Sequence, residues 1–307
     1  MSAGWVGVSV RGRAMTNRRV GRVAARGLAA RSSLDDALTA LAHTSYGHAL
    51  RGASDLETAQ RAVVEATLWN VRVLAGWAPR QGVAILRALA AVLEAANIRD
   101  HLRLLEGTTI PSPYRLGGLS TAWPRVAVTG SVEEVRSVLT TSPWGDPAGG
   151  APHDIALMLQ TSLSDRVIAA VPEAAAWASG ATALLVAREV VRDRRDLPAA
   201  ARRSAARVLG DRGLRAGSVP ELAGLVPAQA RWALTEVHEP AGLWEAEGRW
   251  WGRVERDAFA LVRRPTSGPE VLVGAVALLA VDTWRVRAAL ELAARGGGPM
   301  EVFDAVA

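Results

Sequence analysis

The sequence predicts an all-α fold in which one supersecondary unit is used several times, and three observations carry that prediction. The first is the stretch from Val83 to Gly107. Leu86, Leu89, Leu93 and Ala96 recur there at helical spacing, while Arg80, Arg87, Glu94 and His101 recur every seven residues with Asn97 one turn after Glu94. One long helix with an apolar and a polar stripe satisfies both patterns. The second is recurrence. Glu94-x-x-Asn97-x-Arg99 returns 95 residues later as Glu189-x-x-Arg192-x-Arg194, and 93 residues later again as Asp282-x-x-Arg285-x-Arg287, each copy after an apolar run. Self-similarity at a fixed period marks a repeated unit. The third is that no segment shows the strict alternation of a half-buried strand.

The elements follow in order. Residues 9–31 are rich in arginine, with Arg11, Arg13, Arg18, Arg19, Arg22, Arg26 and Arg31. One reading is a basic surface for phosphate or an acidic partner. The other is a solvated helix face whose Val10, Met15, Val20, Val23 and Leu28 pack inward, which the lack of interleaved aromatics or a base-reading motif favours. Capping boxes at Ser33-x-x-Asp36, Ser54-x-x-Glu57 and Ser131-x-x-Glu134 then open helices near 34–44, 55–76 and 132–141. Pro79 suits a first helical position and Gly107 a left-handed stop for the long helix between them. Proline-rich loops occupy 108–118 and 141–154, and the second marks the boundary between the first and second units. Helices are expected at 153–169, 173–195 with a break near Gly180, 198–209, 241–263 and 270–295. A looser stretch runs from Gly210 to Pro240, and Gly296-Gly297-Gly298-Pro299 precedes a last short turn. Units of 1–145, 146–235 and 236–307 result.

Composition excludes several chemistries. At 307 residues the chain is long enough for two or three cores without metal or disulfide staples. It has no Cys, which removes thiolate catalysis and Cys-based zinc sites. It also has no Lys, which removes the P-loop lysine and Schiff-base chemistry. All 36 basic residues are therefore Arg, so a pI near 11.0 accompanies a net charge of only +6 and says little about nucleic acid. The opening residues lack the apolar core of a secretory signal, and the charge-free run Val271–Val281 is short of the roughly 20 residues a span requires. The expectation is a soluble, cytoplasmic chain.

Neither a catalytic residue nor a metal or cofactor site is expected. His43, His48, His101, His153 and His238 form no H-x-x-x-H or H-E-x-x-H pattern, and no G-x-S-x-G or G-x-G-x-x-G is present. His101, on the polar stripe, reads as a partly buried, hydrogen-bonded residue. Glu189/Arg192 and Asp282/Arg285 are spaced as i,i+3 pairs, which on a surface would be salt bridges worth about 0.2–0.5 kcal/mol. Their repetition points instead to one interior position of a repeated bundle, where an acid and its partner fix how helices meet.

Residues 8–50 and the 83–107 helix resemble the N-terminal third of a V-type ATPase central-stalk family, the C subunit, whose eukaryotic counterpart is the d subunit. The likeness rests on the Arg-containing opening helix, on Leu41, Thr44 and Tyr46 in L-A-H-T-S-Y-G, and on Glu94, Asn97, Ile98 and Arg99 as an acid-x-x-Asn-[Leu/Ile]-Arg signature. Asp282, Trp284, Val286 and Arg287 look like a third copy. Arg192 and Arg285 depart from the Asn of the pattern, and Asp193 from its apolar residue. The resemblance implies three related helical bundles forming a pseudo-threefold funnel, seated on the membrane rotor ring and receiving the rotating shaft. It implies a non-catalytic coupling role, with shaft subunits and the ring proteolipid as partners, no nucleic acid, and no membrane span of its own. Arg11, Arg13, Arg18, Arg22 and Tyr46, with the two proline-rich loops, are the expected partner-facing positions. A stand-alone helical adaptor for another protein is the alternative.

Overall fold

The computed structural model of the chain describes residues 3–298, 300 and 303–304. The fold is all-α, and no strand occurs among the described residues. In chain order the helices are α1 (Ala3–Thr16), α2 (Gly21–Ala29), α3 (Leu34–Leu41), α4 (Leu56–Trp77), α5 (Arg80–Leu105), α6 (Trp123–Val126), α7 (Val132–Thr140), α8 (Pro152–Ala170), α9 (Ala175–Val186), α10 (Ala199–Leu209), α11 (Val219–Leu225), α12 (Ala228–Arg231), α13 (Leu243–Val262) and α14 (Pro269–Ala294). A π-helical turn, Ala187–Arg192, continues α9. Pro299 and most of the expected terminal turn lie outside the described residues.

The chain forms two compact units, one of residues up to Val83 together with those from Trp251 onward, the other Ala84–Trp250. In the first, α1, α2, α3 and α4 pack on α14. That helix is apolar on nearly every side from Val271 to Val281, the pattern of a central rather than a surface helix. Leu28, Leu41, Tyr46, Val63, Val286, Leu290 and Phe303 meet in this unit's core. At the crossing of α13 and α14 a Cβ on Gly274 would lie 2.7 Å from the Ala258 carbonyl oxygen, so only glycine lets these backbones approach so closely. Arg13 clamps the loop that follows α13. Its Nε donates to the Val262 carbonyl at 3.1 Å and its Nη2 to those of Arg264 and Thr266 at 2.6 and 3.1 Å.

The second unit packs around two buried clusters among the described residues. Ile98, Leu102, Val126, Val135, Leu139, Trp144 and Leu159 make one, around α5 to α8. Leu184, Val191, Leu209, Leu222, Val226 and Leu234 make the other, around α9 to α12. By length and hydropathy, α5 and the stretch Pro172–Arg192 match membrane-spanning helices, but 56% and 61% of their apolar windows are buried inside the protein.

The expected boundaries at 145/146 and 235/236 are not where the units divide. The chain leaves the first unit inside α5 and returns inside α13, because the N-terminal helices find their apolar partner in α14 rather than in α5. Smaller differences have local causes. The N-cap of α4 is Asp55, not Ser54: its carboxylate accepts from the Thr58 N–H at 2.8 Å, and Thr58 Oγ1 accepts from the Asp55 N–H. Gly180 does not break its helix; it sits where α9 passes Trp232, whose ring a Cβ there would meet at 2.8 Å. Val10 and Val23 face outward, 57% and 88% exposed, because 17–20 separates α1 from α2 and each helix takes its own frame. The inward residues are Val8 and Gly12 on α1, and Ala25, Leu28 and Ala29 on α2. The stretch from Gly210 to Pro240 contains α11 and α12.

Candidate functional site

On α5 the two stripes are not divided between core and water. Leu86 is buried, but Leu89, Leu93 and Ala96 are only half-buried, whereas Glu94, Asn97 and His101 all lie in the interior. A buried carboxylate persists only if its oxygens are answered by donors. Glu94 is answered five times. Oε1 accepts from the backbone N–H groups of Thr121, Ala122 and Trp123 at 2.6, 2.8 and 2.9 Å, which are the entry to α6. Oε2 accepts from the Thr121 hydroxyl at 2.5 Å and from Trp144 Nε1 at 3.1 Å. An anion at orphaned N–H groups of a helix start is the favourable placement. One turn on, the Asn97 side chain donates to the Tyr114 carbonyl at 2.9 Å and accepts from its N–H at 2.8 Å. His101 Nε2 lies 2.9 Å from Thr129 Oγ1, and its ring stands edge-on to Trp123. The polar stripe thus fastens the segment 114–129 onto α5.

Asp282 plays the same part on α14. It is buried, and its carboxylate accepts from the Val20 and Gly21 N–H groups at the start of α2, at 3.1 and 2.7 Å, and from the Tyr46 hydroxyl at 2.9 Å. Burial first, then the Asp282 charge, push the Tyr46 phenol far above the ordinary tyrosine range.

The correspondence extends to the segments that follow. Ser33 caps α3 and Ser131 caps α7 by accepting from the N–H three residues on. The residues four and eight further, Ala37 and Leu41 against Val135 and Leu139, are fully buried. At the eleventh place, Thr44 and Ser142 both donate to the carbonyl three residues back and accept from the N–H two residues on. At the thirteenth stand Tyr46 and Trp144, the aromatic donors to the two buried acids. Ser218 opens a third copy. It caps α11 by accepting from the Glu221 N–H, Glu221 reaches back to the Gly217 N–H as Glu134 does to that of Gly130, and Leu222 and Val226 are buried. The pattern Gly-Ser-Val-x-Glu at 130–134 and 217–221 is the sequence signal for this module that the acid repeat alone misses.

The third acid is held differently. Glu189 lies in the π-turn with its side chain mostly covered, and its Oε2 is buried without a hydrogen bond. Arg195 Nη1 and His153 Nε2 stand 3.6 and 3.8 Å from that oxygen. The arginines three residues past Glu189 and Asp282 both have carboxylate partners other than these acids. Arg192 pairs with Asp193 at 2.8 Å, and the hydrogen bond and charge of each partner deepen the other's ionised state. Arg285, 2% exposed, makes a two-toothed pair with Glu255 at 3.0 and 2.9 Å, with Arg19 Nη1 3.9 Å from the same carboxylate. Asp282 and Glu94 serve caps, so their basic neighbours turn elsewhere. Arg99 has its Nε buried without a partner, Arg194 is exposed at φ 53°, and Arg287 reaches Gln60 from an exposed position.

Of the residues expected to face a partner, Tyr46 is in the core and Arg13 is engaged in its carbonyl clamp. Arg18 is exposed, and Arg22 is exposed with one bond to the Asp304 carbonyl. Arg11 lies over the ring of Trp77, its guanidinium carbon 3.3 Å from the centroid. Trp77 and Trp69 on α4 and Val6 and Val10 on α1 are about half exposed, and the Arg11–Trp77 stack joins the two helices. Among the described residues no group of three or more His, Asp or Glu is placed to hold a metal ion. The chain matches no protein-family model and no curated protein.

Proposed function

We propose that this chain is a non-catalytic coupling subunit of a V-type rotary ATPase, linking the rotating shaft to the membrane rotor ring. The observation that carries the reading is the module: a long helix bearing a buried acid, whose carboxylate caps the next packed helix and accepts a hydrogen bond from an aromatic thirteen residues past a Ser cap. It recurs around Glu94 and Asp282 and in part around Glu189. The module also takes in residues that the resemblance to the central-stalk family did not use, among them Ser131, Trp144 and Ser218. In this reading the buried acids keep each bundle stiff. A part that passes on torque needs stiffness and partner contacts, not a nucleophile.

The partner contacts of this reading lie on the exposed arginines of the N-terminal helices and on the exposed apolar side chains of α1 and α4. Guanidinium groups pair flatly with carboxylates and stack on indoles, which suits a contact that must be specific and separable. The test is co-purification with the shaft and ring components of a V-type ATPase. Wild-type chain should bind at least one of them, and Arg18→Glu with Arg22→Glu should weaken that binding with unchanged helix content, the more so at low ionic strength. Should neither partner bind the wild-type chain, the helical adaptor for another protein replaces this reading.

A further inference from the structure

In the second unit a cleft of about 370 Å³ opens between the loop at 143–146, α8 and α10. That is the lower end of the range for small-molecule sites, roughly 300–1,000 Å³. Its charges do not cancel. Asp165 is answered by Arg207 through Nε at 3.1 Å and through Nη2. Asp146 is answered first by the Ala148 N–H at 2.9 Å and then by Arg136 at 3.3 Å, which hold its carboxyl below the ordinary range. Arg166 and Arg203 remain. Arg203 makes no ion pair among the described residues, and Arg166 has its Nη1 buried with no acceptor. Arg166 is also held in place, its guanidinium carbon 4.3 Å from the centroid of the Trp144 ring.

Hydroxyl chemistry adds a third donor. Ser204 Oγ accepts from Arg207 Nη2 at 2.9 Å, which leaves its own hydrogen to give. Burial weighs against the charge on Arg166, the Glu94 carboxylate partly offsets this and Arg87 adds to it, so an anion beside Arg166 would relieve a cost already present. Two guanidinium groups without a hydrogen-bonded carboxylate, and one hydroxyl, line this small cleft. A single carboxylate would leave one cation unmatched, whereas a phosphate group carries about −1.5 to −2 charge near neutral pH with three acceptor oxygens.

We propose that this cleft binds the phosphate group of a small molecule, gripped by Arg166 and Arg203 with Ser204 as hydroxyl donor. The inference does not depend on the rotary reading. The full-length chain, in a phosphate-free chloride buffer, is titrated by calorimetry with inorganic phosphate and with glycerol 3-phosphate, against succinate and against KCl at matched ionic strength. Saturable heat with a Kd at or below about 1 mM is expected for both phosphates and not for KCl. Succinate should bind at least tenfold more weakly. Arg203→Ala, at an exposed position, should weaken phosphate binding about tenfold with an unchanged circular dichroism spectrum, and Arg166→Met should abolish it. Absence of saturable binding by the wild-type chain would overturn the proposal, as would equal affinity for succinate. Because Arg166→Met also uncovers Trp144, the exposed variant is decisive: unchanged affinity in Arg203→Ala removes the site.

Discussion

Replacing each of the three acids by alanine separates their roles. Glu94→Ala strands three backbone N–H groups, a threonine hydroxyl and an indole N–H in the interior. Asp282→Ala strands two N–H groups and a phenol. Glu189→Ala strands no hydrogen-bond donor, since its buried oxygen has none, and loses contacts with two largely exposed side chains, Arg195 and His153. A buried donor left unmet costs about 1–3 kcal/mol, and water entering the space vacated by the carboxylate recovers part of it. The expected losses are about 4–7 kcal/mol for Glu94→Ala, about 3–5 for Asp282→Ala and at most about 1 for Glu189→Ala. The first two approach the whole stability of an ordinary domain, about 5–15 kcal/mol. Urea titrations followed by tryptophan fluorescence and by far-ultraviolet circular dichroism measure all three. Equal midpoint shifts, or a Glu189 variant as damaged as the Glu94 one, would refute the claim that the carboxylates act as internal caps.

Three further outcomes follow from particular contacts. Tyr46 keeps its proton in the fold while an unfolded tyrosine loses it near pH 10, so the native state holds the extra proton above that pH. Its stabilising contribution is therefore complete below about pH 10 and declines above it by up to about 1.4 kcal/mol per pH unit. With no Lys in the chain no ammonium side chain titrates in that window, and Tyr46→Phe should flatten the alkaline fall seen in urea midpoints. Gly274→Ala drives a methyl against the Ala258 carbonyl and should cost about 1–3 kcal/mol, read as a lower melting temperature with unchanged helix content. Ser131→Ala and Ser218→Ala remove equivalent caps, and each should cost about 0.5–2 kcal/mol by chemical denaturation.

Helix type and order were legible because they rest on local chemistry: capping serines, Pro and Gly punctuation, and apolar spacing. The acid repeat was legible as a pattern and its repetition pointed inward, but its partners were not legible. Only the segment 114–129, folded back onto Glu94, Asn97 and His101, supplies the donors and acceptors that burial requires. Asp282 needed donors 236 and more residues away, which no window of sequence reveals. The same distance hid the unit boundaries, since α14 completes a core begun by α2 and α3. Tyr46 was misplaced on a surface for this reason, and Glu255, the partner of Arg285, carried no motif at all.

The pairing of Tyr46 with Asp282 also fixes an order of events during synthesis. At roughly 5–20 residues per second the 236 residues between them take about 12–47 s to emerge. For that interval α1 to α4 are outside the ribosome without the helix that covers them, while everything from Ala84 to Trp250 can already have condensed. The first part made is the last to become stable. A nascent chain arrested before α14 should leave its N-terminal helices open to protease and to holdase chaperones, and release of the completed chain should close them together.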